Sequence, residues 1–278
     1  GAIGFFGSEL NFIGNVSFEG NHANTSGGAV YADEYSSVSI GSEAVFAYNT
    51  ATFGGAIYSN DNSELNVTEG GSVYFVNNHA CYSAGALRLG NQTVFNSYGT
   101  ASFVSNEALF GGAMILFDSK VNFIGSVSFE GNHAIINGAI DVNADSNVFF
   151  GGETVFADNT AAFGGAVYAD EYSNVSIGNE AVFAYNTATF GGAIHLYNQS
   201  VFNSYGTASF VSNEAESGGG AMILLDSKVN FIGSVLFEGN HAIINGGAID
   251  VNADSNIFFG GETVFAYNTA AFGGTSVK

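Results

Sequence analysis

The chain lacks proline and tryptophan, and it has one cysteine and four basic residues among 278. With Cys81 alone, no intramolecular disulfide can form, so a disulfide-stapled scaffold is excluded. Arg88, Lys120, Lys228 and Lys278 are the only fixed cations against 25 acidic residues, for a net charge of −21. A basic footprint for phosphate backbones is therefore missing, and no nucleic-acid partner is expected. An anionic membrane surface would repel the chain as well. No apolar run approaches the roughly 18 residues of a spanning helix, so no transmembrane segment is read, and no signal peptide is visible.

What the sequence has instead is glycine (39), phenylalanine (27) and a 46% share of hydrophobic residues, enough for a continuous core. These residues recur in a fixed order. A motif F-x-x-N-x-A starts at Phe18, Phe46, Phe75, Phe103, Phe129, Phe156, Phe183, Phe210, Phe237 and Phe265. Its asparagines are Asn21, Asn49, Asn78, Asn106, Asn132, Asn159, Asn186, Asn213, Asn240 and Asn268. A second motif, G-G-A followed by an aliphatic residue, comes five or six residues after each Asn, as in Gly27-Gly28-Ala29-Val30. Ten copies at 26 to 29 residue spacing are the signature of a solenoid and outrank any local reading.

One repeat, residues 28–54, reads as three short strands. They are Gly28 to Asp33, the alternating Ser37-Val38-Ser39-Ile40, and Ala44 to Tyr48. No run with helical period is present. The expected fold is all-β: a single right-handed parallel β-helix over residues 1–278, with about ten coils of ~27 residues, three strands per coil and three sheets. At one strand spacing per coil the rise is roughly 48 Å. The motif Phe residues should then stack through the core, the Asn residues should form an amide ladder at a corner, and the Ala after each Asn should sit at a corner with room only for a methyl. Asn60 to Ser72 is two residues longer than its counterparts and is read as a bulge. Ala84-Gly85 replaces the glycine pair of its coil.

A longer period overlies the first. Residues 92–165 and 199–274 are nearly identical, four coils apart. Length that changes by whole coils suits a shaft better than a catalytic cleft. Gly1-Ala2-Ile3 is in phase with Gly28-Ala29-Val30, and Gly273-Gly274 closes the last coil without a polar cap, so the reading expects a fragment or repeating unit of a longer protein with open coil edges.

The paired motifs, F-x-x-N and G-G-A-(I/L/V), resemble those of the chlamydial polymorphic outer membrane proteins over essentially the whole chain, Gly1 to Gly274. That resemblance implies a surface-exposed β-helical passenger of an autotransporter, acting as an adhesin. The function expected is non-enzymatic, structural or adhesive, in an extracellular or cell-surface location. The expected partner is a host or matrix surface ligand. The alternative is a filament subunit stacking on itself end to end through uncapped coil edges.

Candidate chemistry is sparse. His79, Glu107 and His133 hold one repeat position on consecutive coils and could approach a metal, although Thr50, Thr160, Thr187 and Thr269 show that this position accepts any polar residue. Glu153 and Glu180 should stack on adjacent coils, where like charges favour a cation between them, a setting for weak Ca²⁺ binding. No other cofactor is expected. A polysaccharide-active β-helix enzyme needs a basic residue beside Ca²⁺ or clustered carboxylates, and no group of unlike catalytic residues gathers around Arg88, the only arginine. An ice-binding solenoid needs outward Thr ranks in every coil, and Thr50/Thr52 and Thr187/Thr189 are isolated pairs.

Overall fold

A computed structural model describes residues 1–273; Gly274 and Lys278 lie outside the described residues. It is an all-β parallel solenoid whose coils stack in register. In one coil the strands are Val30–Asp33, Ser37–Ile40, Glu43–Ala47 and Thr50–Phe53. Each pairs in parallel with its counterparts in the neighbouring coils, which gives four sheets of ten, ten, ten and eight strands, numbered here one to four in chain order. The sequence reading of three sheets misses the fourth. Its strands begin after the motif Asn, so the Ala two residues beyond is not at a corner. Ala51, Ala80, Ala108 and Ala134 are the inward residues of short strands, each 1–3% exposed. Thr-Ala-Thr-Phe alternates correctly for a strand, but four residues beside a glycine pair read equally well as a turn.

The interior follows from period-two alternation. Val30 and Ala32, Val38 and Ile40, and Ala44 and Phe46 point inward from sheets one to three and are almost fully buried. The ten motif Phe rings form one unbroken column, with centroids 4.6–5.1 Å apart and planes within 16° of parallel. The coil spacing imposes this face-to-face stack, which by itself is not the preferred arrangement of aromatic rings. Phe123, Phe150, Phe231 and Phe259 of sheet two meet the column edge-on, at 5.5–5.9 Å and 81–85° to Phe129, Phe156, Phe237 and Phe265, and supply the favoured geometry.

The motif Asn residues form a second column at the bend between sheets three and four. Asn159 is typical. Its Nδ2 donates to Asn186 Oδ1 at 2.9 Å and to the Phe129 carbonyl at 2.9 Å. Its Oδ1 accepts from the backbone N and the Nδ2 of Asn132, both at 3.0 Å. The same Asn-to-Asn bonds run coil by coil from Asn21 to Asn268. Asn49 to Asn240 are 0% exposed, so every polar atom of these amides must find a partner inside the protein, and each does.

The two glycines of G-G-A do different jobs, which explains the irregular third coil. The first adopts a left-handed backbone, as at Gly54 (φ 62°), and Ala84 holds that position at φ 58°. A Cβ is crowded at both sites but by different neighbours: on Gly54 it would lie 2.4 Å from the Ile57 carbonyl oxygen of its own turn, and on Gly85 2.2 Å from the Gly112 carbonyl oxygen of the next coil. Ala84 shows that the turn can relax within its own coil to take a methyl at the first site, at a cost of about 1–2 kcal/mol, whereas the second site faces the backbone of the next coil. The extra residues between Asn60 and Ser72 do not bulge a strand. A turn at Glu69-Gly70 absorbs them, and Ser72 keeps its register with Glu43. The register shift in this part of the chain lies instead in sheet four, between Ala80 and Ser83.

Gly85→Ala should lower stability by at least about 3 kcal/mol, because the whole coil must move to admit one methyl. Ala84→Gly should leave stability unchanged or raise it by up to about 1 kcal/mol. Guanidinium denaturation of the two variants reads the difference, and equal effects would contradict this division of roles.

Candidate functional site

The four outer faces differ in character. Sheet two presents a polar face with its own amide ladder, in which Asn96 donates to Asn66, Asn122 to Asn96 and Asn230 to Asn203 at 2.8–3.0 Å. The outer edge of sheet four carries the His and Glu positions singled out from sequence. His79 and Glu107 are in register on adjacent coils, with Nδ1 4.0 Å from Oε2 and both side chains about half exposed. His133 is in register with Glu107 on the other side, but its Nδ1 pairs with Thr160 Oγ1 at 2.6 Å. His22 and His241 likewise meet Thr50 and Thr269 at 2.8 Å. The stacked His-Glu-His row is thus one loose pair and one His–Thr hydrogen bond. Glu153 and Glu180 stand on adjacent coils as expected, where the Thr154 N–H donates to the Glu180 carbonyl, and both are exposed. Among the described residues no three or more His, Cys, Asp or Glu side chains gather where they could hold one metal ion.

The less regular surface lies between sheets four and one. The second residue of each sheet-one strand points outward: Tyr31, Tyr58, Arg88, Ile115, Asp141, Tyr168, His195, Ile223 and Asp250 are consecutive rungs of one row. Phenylalanines at the ends of sheet-four strands lean over this row. Phe53 reaches Arg88 at 5.7 Å, and Phe163 meets His195 edge-on at 5.3 Å. The result is a lateral groove with two chambers that share Asn137. One, about 260 Å³, holds Arg88, Ile115, Phe117 and Asp141. The other, about 530 Å³ and largely apolar, holds Phe163, Tyr168, Phe190, His195 and Tyr197.

The groove also contains the buried ionisable groups. Asp141 is 1% exposed; burial pushes its carboxyl up to about 7, against the lowering effect of hydrogen bonds donated by Asn137 and Asn143, and the Asp170 charge adds to the rise. His195 is 5% exposed, and burial brings its imidazole down to about 4 despite a hydrogen bond to the Phe190 backbone. The hydroxyls of Tyr31 and Tyr168 donate to Asp33 and Asp170, and burial raises both phenols well above their ordinary value. None of these residues belongs to the repeating motifs. The available signal was the opposite one: the outward position in the first strand changes residue type from coil to coil, while the positions on either side of it stay apolar except at Ser59.

Comparison with known proteins agrees with the motifs in four of the ten repeats. The family model for the Chlamydia polymorphic membrane protein repeat matches residues 15–33, 43–60, 153–170 and 234–252. Each match contains the third-sheet strand, the ladder Asn, the glycine turn and the first strand of the next coil. No curated protein and no solved structure matches the chain.

The two buried groups make opposite contributions to stability between pH 4 and 7. Asp141 has a folded value above its unfolded one, so its contribution falls as pH rises from about 4 to about 7. His195 has a folded value below its unfolded one, so its contribution falls as pH drops from about 6.5 to about 4. Asp141→Asn should therefore leave a stability that rises with pH in this window. His195→Phe should leave one that falls, each with a slope below about 1.4 kcal/mol per pH unit. Denaturation midpoints at pH 4, 5, 6 and 7 test the signs; slopes of the same sign in both variants would contradict the assignment. The chain is a parallel β-solenoid, four segments of which match the Chlamydia polymorphic membrane protein repeat.

Proposed function

We propose that this chain is a non-enzymatic structural and adhesive β-helix that works outside the cell or on its surface. Its described residues, 1–273, form one continuous repeat domain. The observation that carries the reading is the repeat itself: four matches to a membrane-protein repeat family, set in a solenoid that presents long lateral faces. A shaft of this build can act by displaying surface, and the partner expected is a ligand on a host cell or matrix. The net charge of −21 favours solubility and disfavours nonspecific contact with nucleic acid or anionic lipid. No resident cofactor is needed for this role, and any Ca²⁺ held at Glu153 and Glu180 is weak and peripheral.

A second reading, end-to-end assembly into a filament, is favoured by the polarity of the amide ladder. Each Asn donates its backbone N–H and Nδ2 to the next coil and accepts at Oδ1 from the coil before. Any two coil faces separated between rungs are therefore complementary, one presenting donors and the other acceptors.

Beads coated with the purified chain should bind cultured epithelial cells or extracellular matrix above an albumin-coated control. Binding should be unchanged by EDTA and saturable by free protein. Beads that bind neither cells nor matrix, from protein that forms long fibres in electron micrographs, would favour the filament over the adhesin.

A further inference from the structure

We infer that the smaller chamber of the lateral groove is a binding site for a carboxylate-bearing saccharide, with Arg88 as its anion-binding residue. This rests on the adhesive reading and names the chemistry of its ligand.

Arg88 is the first reason. Its guanidinium lies against Tyr58, Phe117 and Phe53 at 4.9, 5.3 and 5.7 Å. Three rings fix its position, and no carboxylate of the described residues pairs with it. Nε and Nη1 are buried without a hydrogen-bond partner. A guanidinium held in a partly dry site with its donors unused is costly until an anion arrives, and a planar carboxylate is the anion its geometry suits.

The rest of the chamber selects the body of the ligand. Asp141 lies two rungs beyond Arg88, roughly 10 Å along the groove at one strand spacing per coil, with Ile115 between them. Asp141 accepts from and orients the amides of Asn137 and Asn143, whose Oδ1 atoms remain for ligand hydroxyl groups, and Phe110 and Phe117 offer apolar faces for the C–H side of a sugar ring. A volume of about 260 Å³ accommodates one monosaccharide unit. A phosphate or sulfate is disfavoured, because a second negative charge would face Asp141 and Glu171 in the same chamber. An extended peptide is disfavoured too. It brings backbone N–H and C=O groups that need partners, and the strands on this floor already pair on both sides.

The internal duplication supplies an independent argument. Aligning residues 88–163 with 195–272 leaves nine substitutions besides two inserted glycines. Four of them, Arg88/His195, Gly90/Tyr197, Phe110/Ser217 and Phe117/Leu225, place at least one member in the groove lining. Two are coupled: a Cβ on Gly90 would lie 3.3 Å from Arg88 Nη1, so the long cation occurs with glycine and the short His195 with Tyr197. The coil framework was copied nearly unchanged while the groove was refitted, and the second copy, without the arginine, should not take the anionic sugar.

The test is saturation-transfer NMR and calorimetry on the whole chain with sodium D-glucuronate, D-glucose, benzoate and inorganic phosphate. D-glucuronate should bind at millimolar affinity or better, with saturation arriving at the ring C–H protons, and D-glucose and benzoate should each bind at least tenfold more weakly. Arg88→Gln should weaken D-glucuronate at least tenfold with an unchanged melting temperature. Gly90→Tyr should do the same by occupying the space of the guanidinium, and Lys228→Gln should have no effect. Benzoate or phosphate binding as well as D-glucuronate, no binding of D-glucuronate at 10 mM, or full binding by a folded Arg88→Gln protein would each overturn the site. Cell adhesion keeps the two claims apart. Wild-type adhesion that survives Arg88→Gln retains the adhesin and removes this site, whereas D-glucuronate binding by a protein that adheres to nothing retains the site and removes the adhesin.

Discussion

The buried asparagine column is the constraint on which the rest of the solenoid depends. At every bend from sheet three to sheet four, the residue before the Asn takes a left-handed backbone. It is glycine in three coils and Tyr48, Asn77, Ser105, Asp158, Tyr185, Ser212 or Tyr267 in the others. For a residue with a side chain that conformation costs about 1–2 kcal/mol. Each interior Asn shares four hydrogen bonds with neighbouring coils and exposes no polar atom, and such bonds contribute about 1 kcal/mol each with a larger penalty if one is broken. The ladder more than offsets the strained bend, and it fixes the register of all four sheets at one point per coil. The Phe column then falls into line because Phe46, Phe75 and their counterparts stand three residues before the Asn on a strand whose register is already set.

How much of this could be read beforehand depended on whether a residue recurred. The period, the parallel pairing and the stacking positions of the ten Phe and ten Asn residues were legible, because a strict repeat forces equivalent residues onto one line. The fourth sheet was not, since its strands are only two to five residues long and border a glycine turn. Ala84 looked like a defect in the glycine pair until the structure separated crowding within one turn at the first position from crowding against the next coil at the second. The groove was the least legible feature. Its floor is made of the residues that break the repeat, and their convergence with the sheet-four phenylalanines depends on a turn whose direction no local pattern gives. The histidine row drew attention through its regularity, yet its members mostly bond to threonines of the adjacent coil.

This division suits a display protein. The inward residues and the bends carry the fold and leave little freedom to vary, as the near-identity of the two four-coil blocks illustrates. The outward side chains of sheet one, where they form hydrogen bonds, do so within their own strand or turn and do not join coils, so tyrosine, arginine, aspartate and histidine can follow one another along it. Recognition chemistry can change rung by rung over a shaft that stays the same, and burial within the groove gives a single arginine or histidine more effect than it would have on an open face.

The direct test of the central claim is to remove one interior rung. Asn159→Ala deletes four buried hydrogen bonds and leaves the Asn132 N–H without its acceptor, whereas Asn203→Ala removes only a link in the partly exposed ladder of sheet two. Native-state hydrogen exchange on both variants should show local opening around residues 129–190 made easier by about 3 kcal/mol or more in the first, and by less than about 1 kcal/mol in the second. Equal and small effects at the two sites would contradict the account, and would place the register of this solenoid in its aromatic core instead.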